Sequence, residues 1–254
     1  MYRGMRVAVV VPAYNEERHV ERTVMTVPPW VDLVVVVDDA STDGTAARVE
    51  GLRDERVRLH RRAVNGGVGA AILAGYGRAA ELGAEAVAVM AGDAQMDPAE
   101  LPALLDPLAD GRADYVKGNR LDHPELWTRM PRARVIGNLA LSWITRFVAG
   151  YPGIWDSQCG YTAISRSFIV QIDADRLYPR YGFPNDLLAH LRELDARVVD
   201  VPVTPIYGDE ASGIRLPLAV FSLSWVLARA FALRQWRTHV RRGVRELPAR
   251  GATR

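Results

Sequence analysis

Asp93, Gln95 and Asp97 stand at the end of an apolar run in the segment AVAVMAGDAQMDP, residues 86 to 98. Two carboxylates and an amide carbonyl offer hard oxygen donors. Mg²⁺ and Mn²⁺ take such donors, usually one or two carboxylates completed by the phosphates of a substrate. A plainer reading stands beside that one: a strand-to-helix turn in which Asp97 is the N-cap and Pro98 fills the first helical turn. A second acidic pair, Asp38 and Asp39, closes the run Leu33 to Val37 and precedes Ser41-Thr42-Asp43-Gly44-Thr45, which can cap a helix. Adjacent carboxylates repel each other unless something uses them. One is expected to bond the loop, and Asp39 is expected to accept hydrogen bonds from the base or ribose of a ligand. The glycines of Asn65-Gly66-Gly67-Val68-Gly69-Ala70 lack the Gly-x-Gly-x-x-Gly spacing of a dinucleotide site, and no Gly-x-x-x-x-Gly-Lys-Ser/Thr loop occurs. They read either as a tight turn with close helix packing or as a direct ligand contact.

The elements that must position these residues follow from the apolar patterning. Val7 to Val11, Leu33 to Val37, Val57 to Arg61, Ala86 to Ala91 and a run starting at Tyr115 are short, β-prone and separated by helical segments. Those segments are Glu16 to about Val27, the stretch after Asn65, and Pro98 to Leu108. Alternation at this spacing predicts a mostly parallel α/β sheet flanked by helices. Ligands of such sheets bind beyond the carboxyl ends of the strands. Tyr14 to Glu16, Asp38 and Asp39, Asn65 to Gly69, and Asp93 to Asp97 each follow a strand directly, so one cleft can collect them all. Further on, Arg134 to Ala149 has helical periodicity, with Ile136, Leu139, Trp143 and Phe147 on one face, read as a stripe packed on the core. Residues 156 to 166, DSQCGYTAISR, read as a polar loop entering a short strand; a helix is expected from Tyr181 to about Leu194 and a strand from Arg197 to Val203.

The chain of 254 residues can bury one large core plus an appendage. Its net charge of +2 is unevenly spread: residues 234 to 254 hold seven Arg against Glu246, leaving 25 basic and 29 acidic residues elsewhere. A basic nucleic-acid-binding face is therefore not expected, whereas contact of one end with an anionic surface is. Cys159 is the sole cysteine, which excludes a disulfide framework and a thiol-rich zinc site and fits a reducing, cytoplasmic compartment. The apolar run before Pro12 is too short for a signal peptide. Leu216 to Leu233 is interrupted by Ser222, Ser224 and Arg229, and reads as a helix lying at a membrane interface or packed in a homodimer contact. The expected division is a domain over residues 1–213 and an apolar helix with an Arg-rich tail over 214–254.

Taken together and in order, VVVPAYNEE, VVVVDDASTDGT, NGGVGAAILAGY, MAGDAQMDP, YVKGNR and IYGDEASGI resemble the family 2 inverting glycosyltransferases of GT-A fold, nearest the polyprenyl-phosphate, dolichyl-phosphate-mannose-synthase-like branch. The resemblance spans about residues 5 to 215. It implies a nucleotide-diphosphate-sugar donor, Mg²⁺ or Mn²⁺ on the diphosphate and direct displacement at the anomeric carbon, with a polyprenyl phosphate acceptor from the branch; peripheral membrane association is expected from the C-terminal segment itself, where Trp225 and Trp236 suit an interface and Arg234, Arg237, Arg241 and Arg242 suit anionic headgroups. By the same resemblance, Pro12, Tyr14, Glu16, Asp39, Gly92, Asp93 and Gln95 meet the donor, and Asp93 and Gln95 hold the metal. Arg120 meets phosphate groups, where a planar guanidinium suits the geometry, and Arg134 and Asn138 meet the acceptor phosphate. Asp186 falls where many relatives carry an acidic pair; catalysis and helix N-terminal capping are both open for it. In one respect the chain departs from the pattern: Ala91 stands where the family's metal motif begins with Asp. Transfer to a hydroxyl of a glycan or small molecule, and silent binding of a sugar nucleotide, are the competing readings.

Overall fold

Every residue of the first two strands is buried: β1 (Val7–Ala13) reads VAVVVPA and β2 (Leu33–Asp38) reads LVVVVD. Branched side chains buried on both faces are what a central parallel strand requires, because helices cover the sheet on either side. The structure is a computed structural model and describes residues 1–180, 182–206, 223–232 and 235, leaving aside the side chains of 133 and 134. Further along the chain come β3 (Val57–Arg61), β4 (Ala86–Val89), β5 (Tyr115–Asn119), β6 (Thr162–Ser165) and β7 (Val198–Pro202). Together they form a seven-stranded sheet in the order β3-β2-β1-β4-β6-β5-β7. All neighbours are parallel except β6, which runs antiparallel between β4 and β5.

Alternation along the strands builds two cores. Ala8 and Val10 join Val35 and Val37 on one face. There they meet Tyr76 of α3 (Val68–Glu81) and Leu187 and Leu188 of α8 (Phe183–Glu193). Val7, Val9 and Val11 face the opposite way. They pack with Val24 of α1 (Val20–Thr26), Val49 of α2 (Thr45–Glu50) and Leu104 of α4 (Leu101–Ala109). The period of two in β1 thus feeds both layers at once. Gly75 lets α3 lie close on the sheet, since a Cβ there would clash with Val10. Three further helices, α5 (Leu126–Arg129), α6 (Arg132–Ala149) and α7 (Arg166–Ile169), belong to the less regular second half.

Three expectations are corrected. The first helix starts at Val20 and not at Glu16, because residues 15 to 17 spend their amides on the neighbouring loop. Asn15 N–H donates to Ser41 Oγ (3.0 Å), Glu16 N–H to Thr45 Oγ1 (2.8 Å) and Glu17 N–H to Asp43 (3.2 Å). The fourth strand ends at Val89, although Met90 N–H and Gly92 N–H still donate to Val10 and Pro12 carbonyls. The apolar stripe of α6 is not core: Ile136, Leu139, Trp143 and Phe147 are exposed, and the buried side is formed by Val135, Ser142, Thr145, Val148 and Ala149.

Of the C-terminal appendage, residues 223–232 are helical. Val226 and Ala230 are buried, Arg229 pairs with Asp186 of α8, and Phe231 stacks on Phe147 of α6 at 6.0 Å. The expected boundary at 213/214, most of IYGDEASGI, and the Arg-rich tail lie outside the described residues.

Candidate functional site

Where β1 lies between β2 and β4, the chain's strand order reverses, and a crevice opens at the strands' carboxyl ends. The loops leaving these three strands each contain one non-glycine residue in the left-handed region: Asn15 (φ 57°), Ala40 (φ 61°) and Ala94 (φ 58°). Each costs on the order of 1 kcal/mol and is held by bonds around it. Asn15 is pinned as described and its Oδ1 accepts from Thr42 N–H (2.8 Å); Asp38 Oδ1 accepts from Ser41 N–H (3.1 Å). Asp38 is therefore the member of the acidic pair that bonds the loop.

Asp39 lies on the wall of a cleft of about 430 Å³, within the range of small-molecule and cofactor sites. Pro12, Tyr14, Glu16, Gly92 and Asp93 line the same cleft, so six of the expected donor residues converge there. Asp39 is buried, and its oxygens accept from the Arg62 guanidinium, Gly66 N–H (3.1 Å) and Gly67 N–H (2.7 Å). It ties the turn after β3 against the cleft. Gly67 adopts φ +91°, and a Cβ there would meet Arg180 Cγ at 2.8 Å. The amides of Gly69 and Ala70, at the start of α3, both donate to Pro179 O (2.9 and 3.2 Å). The glycine-rich amides are thus engaged by Asp39 and Pro179, which favours the tight-turn and packing reading. Arg180, to which no sequence motif points, brings a cation to the cleft and donates to Asn65 O (3.1 Å).

Asp93 Oδ1 accepts from Gln95 N–H (3.0 Å), so the two expected metal ligands share one tight turn. Asp97 caps the following 3₁₀ turn, Pro98–Glu100, through Ala99 N–H (2.9 Å), as the plain reading had it. Among the described residues, no three His, Cys, Asp or Glu side chains gather in a metal-binding cluster. One carboxylate on the cleft wall with a neighbouring amide oxygen is nonetheless a donor set that Mg²⁺ accepts when phosphates and water complete its shell.

Arg120 follows β5 and is not among the residues lining this cleft. Its guanidinium pairs bidentately with buried Asp156 (2.8 and 3.1 Å), and its N–H donates to the same carboxylate. Burial works against ionisation of Asp156, but the Arg120 charge and hydrogen bonds prevail and hold its carboxyl below the usual range. Beneath lies Lys117, fully buried, donating to Cys159 O; burial pushes its ammonium down. Nearby Asp200 is pushed up to about 6 by burial. Asp186 also stands apart from the cleft lining. Its buried carboxylate accepts from Tyr178 N–H (2.7 Å) and the Arg229 guanidinium, an anchoring arrangement; the N-cap of α8 is Gly182, without a side-chain cap bond, so Asp186 puts its charge in the first turn and does not cap the helix. Asn138, on α6, lies near Met130, with Nδ2 3.9 Å from its sulfur. Arg134 is on the same helix, and its side chain is outside the described residues.

The family model of Glycosyl transferase family 2 matches residues 8–172, more than half of the chain. The chain belongs to this family. The glycosyltransferase is 29% identical over 214 residues to the UDP-N-acetylglucosamine–dolichyl-phosphate N-acetylglucosaminyltransferase of Methanococcus voltae, with 78% of this chain and 85% of that one covered. It is 32% identical over 208 residues to the undecaprenyl-phosphate mannosyltransferase of Micrococcus luteus, with 79% and 83% covered. It is likewise 32% identical over 206 residues to the polyprenol monophosphomannose synthase of Mycolicibacterium smegmatis, with 78% and 77% covered. Among solved structures, glucosyl-3-phosphoglycerate synthase from Mycobacterium tuberculosis, in complex with Mn²⁺, UDP and glucosyl-3-phosphoglycerate, matches with a TM-score of 0.70 at 22% identity, covering 90% of this chain and 81% of that one. The fold of the glycosyltransferase is thus of GT-A type. Among the described residues, no helix is long and apolar enough to cross a membrane.

Proposed function

We propose that this glycosyltransferase moves a sugar, with inversion, from a nucleotide-diphosphate sugar to a polyprenyl phosphate. The observation that carries the acceptor class is the run of relatives at 29–32% identity, covering more than three quarters of the chain, whose names specify dolichyl, undecaprenyl or polyprenol phosphate. For the donor, support comes from the cleft, where Asp39, Tyr14, Glu16 and Asp93 meet at the switch point of the sheet. Asp39 shapes the nucleoside pocket by holding the Gly66-Gly67 turn, and Pro12 and Tyr14 border it. Asp93 and Gln95 would hold Mg²⁺ or Mn²⁺, which when bound neutralises charge on the departing diphosphate. Arg120, fixed by Asp156, stabilises phosphate charge from its own side, the main barrier-lowering contribution for such a leaving group. Arg134 and Asn138 on α6 take the acceptor phosphate.

A lipid phosphate is largely ionised at neutral pH, its second pKa being roughly 6, so it attacks without a strong general base. The pairing of Asp186 with Arg229 and Tyr178 suits that chemistry, and its role is to anchor residues 223–232. Ala91, in place of a carboxylate, favours a second reading in which the cleft binds a sugar nucleotide without turnover. Labelled UDP- and GDP-sugars, incubated with Mg²⁺ and polyprenyl phosphate, test both. Solvent-extractable labelled lipid supports transfer to the lipid phosphate, label moved only to a hydroxyl acceptor refutes it, and donor binding with no product supports the second reading.

A further inference from the structure

Asp186 lies outside the cleft, yet its buried carboxylate is tied to the segment that borders the cleft. Tyr178 N–H donates to Asp186 (2.7 Å), and Arg229 donates both to Asp186 and to Arg176 O (2.8 Å). The pair therefore holds the chain on either side of Leu177, whose own side chain is buried in the core between α3 and α8. Next along, Pro179 O accepts from Gly69 N–H and Ala70 N–H at the start of α3, and Arg180 O accepts from Phe183 N–H (2.9 Å). Residues 176–180 thus form a strap pinned along its length, and its last side chain, Arg180, lines the cleft. Gly67 makes room for it: a Cβ there would approach Arg180 Cγ to 2.8 Å and Pro179 O to 3.0 Å.

The place of Arg180 along the cleft selects its ligand. Asp39 and Asp93 follow β2 and β4, which flank β1; at about 4.8 Å per strand, those strands stand about 10 Å apart. Arg180 is on the Asp39 side. Its Nη2 donates to Asn65 O (3.1 Å), and its stem borders Gly67, whose amide is bound by Asp39 (2.7 Å). The diphosphate end of a nucleotide belongs at Asp93, on the β4 side, so the guanidinium meets the nucleoside end. A guanidinium is planar, stacks on aromatic faces and offers only hydrogen-bond donors, which suits a base with carbonyl oxygens on its rim. We infer that Arg180 is a donor-binding residue that covers the nucleobase, and that Asp186 is its positioning residue, acting through the strap. The inference rests on the proposed sugar-nucleotide donor.

Isothermal titration with UDP, GDP and inorganic pyrophosphate, each with Mn²⁺, tests it. Arg180→Ala should weaken the nucleotide that the parent binds by about tenfold and leave pyrophosphate unchanged. Arg180→Lys keeps the charge but not the plane, and should stay within about threefold of Arg180→Ala. Arg166→Ala, an exposed arginine of α7 outside the cleft lining, should match the parent. Asp186→Ala should weaken the nucleotide by up to about tenfold, and should add no further loss in the Arg180→Ala background. Its fall in Tm should persist in both backgrounds, which separates positioning from stability. Asp186→Asn keeps an oxygen for Tyr178 N–H; it should fall between the parent and Asp186→Ala, and it carries the same cycle if the alanine variant does not fold. Unchanged nucleotide affinity in Arg180→Ala, an equal fall for pyrophosphate, or full recovery by Arg180→Lys overturns the base contact. Additive losses in the double variant overturn the positioning role. A parent that binds neither UDP nor GDP defeats the proposed donor and the inference with it, whereas a parent that binds either one and is indifferent to Arg180→Ala defeats the inference alone.

Discussion

Asp39→Ala removes the tie between the turn after β3 and the cleft. The side chain is 3% exposed and its Arg62 partner 24%. Two backbone amides, of Gly66 and Gly67, lose their acceptor as well. Breaking a fully buried ion pair costs about 3–5 kcal/mol. Here a quarter of Arg62 stays in water and Gly67 borders an open cleft, so rehydration offsets part of the loss and about 2–3 kcal/mol remains. For a chain of 254 residues, an unfolding entropy of roughly 2.1 cal/mol/K per residue converts this to a fall in Tm of about 4–6 °C. Differential scanning calorimetry reads that fall, and titration with UDP reads the accompanying loss of nucleotide affinity, expected to be at least about tenfold once the turn moves. Arg62→Ala alone should cost less, because the carboxylate keeps both amides, and the double variant should cost less than the sum of the two. An Asp39→Ala protein that melts with the parent and binds UDP equally would refute this role.

Other expectations follow from the same geometry. Ala91→Asp adds a second carboxylate to the turn of Asp93, so the Mn²⁺ concentration for half-maximal activity should fall by about tenfold, measured by metal titration after chelation. Asp156→Asn keeps the shape but removes the charge that fixes Arg120; kcat should drop by about 10–10²-fold with a smaller change in donor KM, seen in steady-state kinetics. Asp200 titrates near 6 in the fold against a usual value of 3.8. The native chain therefore binds more protons than the unfolded chain between about pH 4 and 6, and stability falls as pH rises through that window. Asp200→Asn should raise the Tm at pH 7 and make little difference below pH 4, read by thermal melts across pH.

β1, β2 and β4 were legible because continuous valine- and alanine-rich runs have few alternatives, whereas VRLHR and YVKGN were legible only from their spacing between helical segments; the candidate site was legible because its motifs each follow a strand. Pairing was not: the antiparallel β6 between β4 and β5 leaves no mark in a four-residue segment, TAIS, that fits either direction. Periodicity placed Ile136, Leu139, Trp143 and Phe147 on one face correctly, but amphipathicity does not say which side a helix turns to solvent. The opposite side of α6, with Ser142, Thr145 and Asn138, packs inward through side-chain hydrogen bonds. Thr145 Oγ1, for one, donates to Asn185 (2.8 Å). Arg180 was missed because it sits far along the chain in a segment without a motif. Its signal lay only in the neighbouring Pro179, whose carbonyl caps α3. Context assigned Asp39 to the cleft and left its neighbour to the loop, and the turn at Ala40 places them so: Asp38 bonds Ser41 and Asp39 lines the cleft.

The proposed function requires the cleft bearing Asp39 and Asp93 to hold a sugar nucleotide for transfer to a polyprenyl phosphate. Mass spectrometry of the lipid extract from parallel reactions of the parent and Asp93→Ala, each with nucleotide sugar, Mg²⁺ and polyprenyl phosphate, tests it most directly. The parent should give a polyprenyl-phosphate-sugar ion, and Asp93→Ala should lose it. No such ion from the parent with any nucleotide sugar, or an undiminished ion from the variant, would contradict the proposed function.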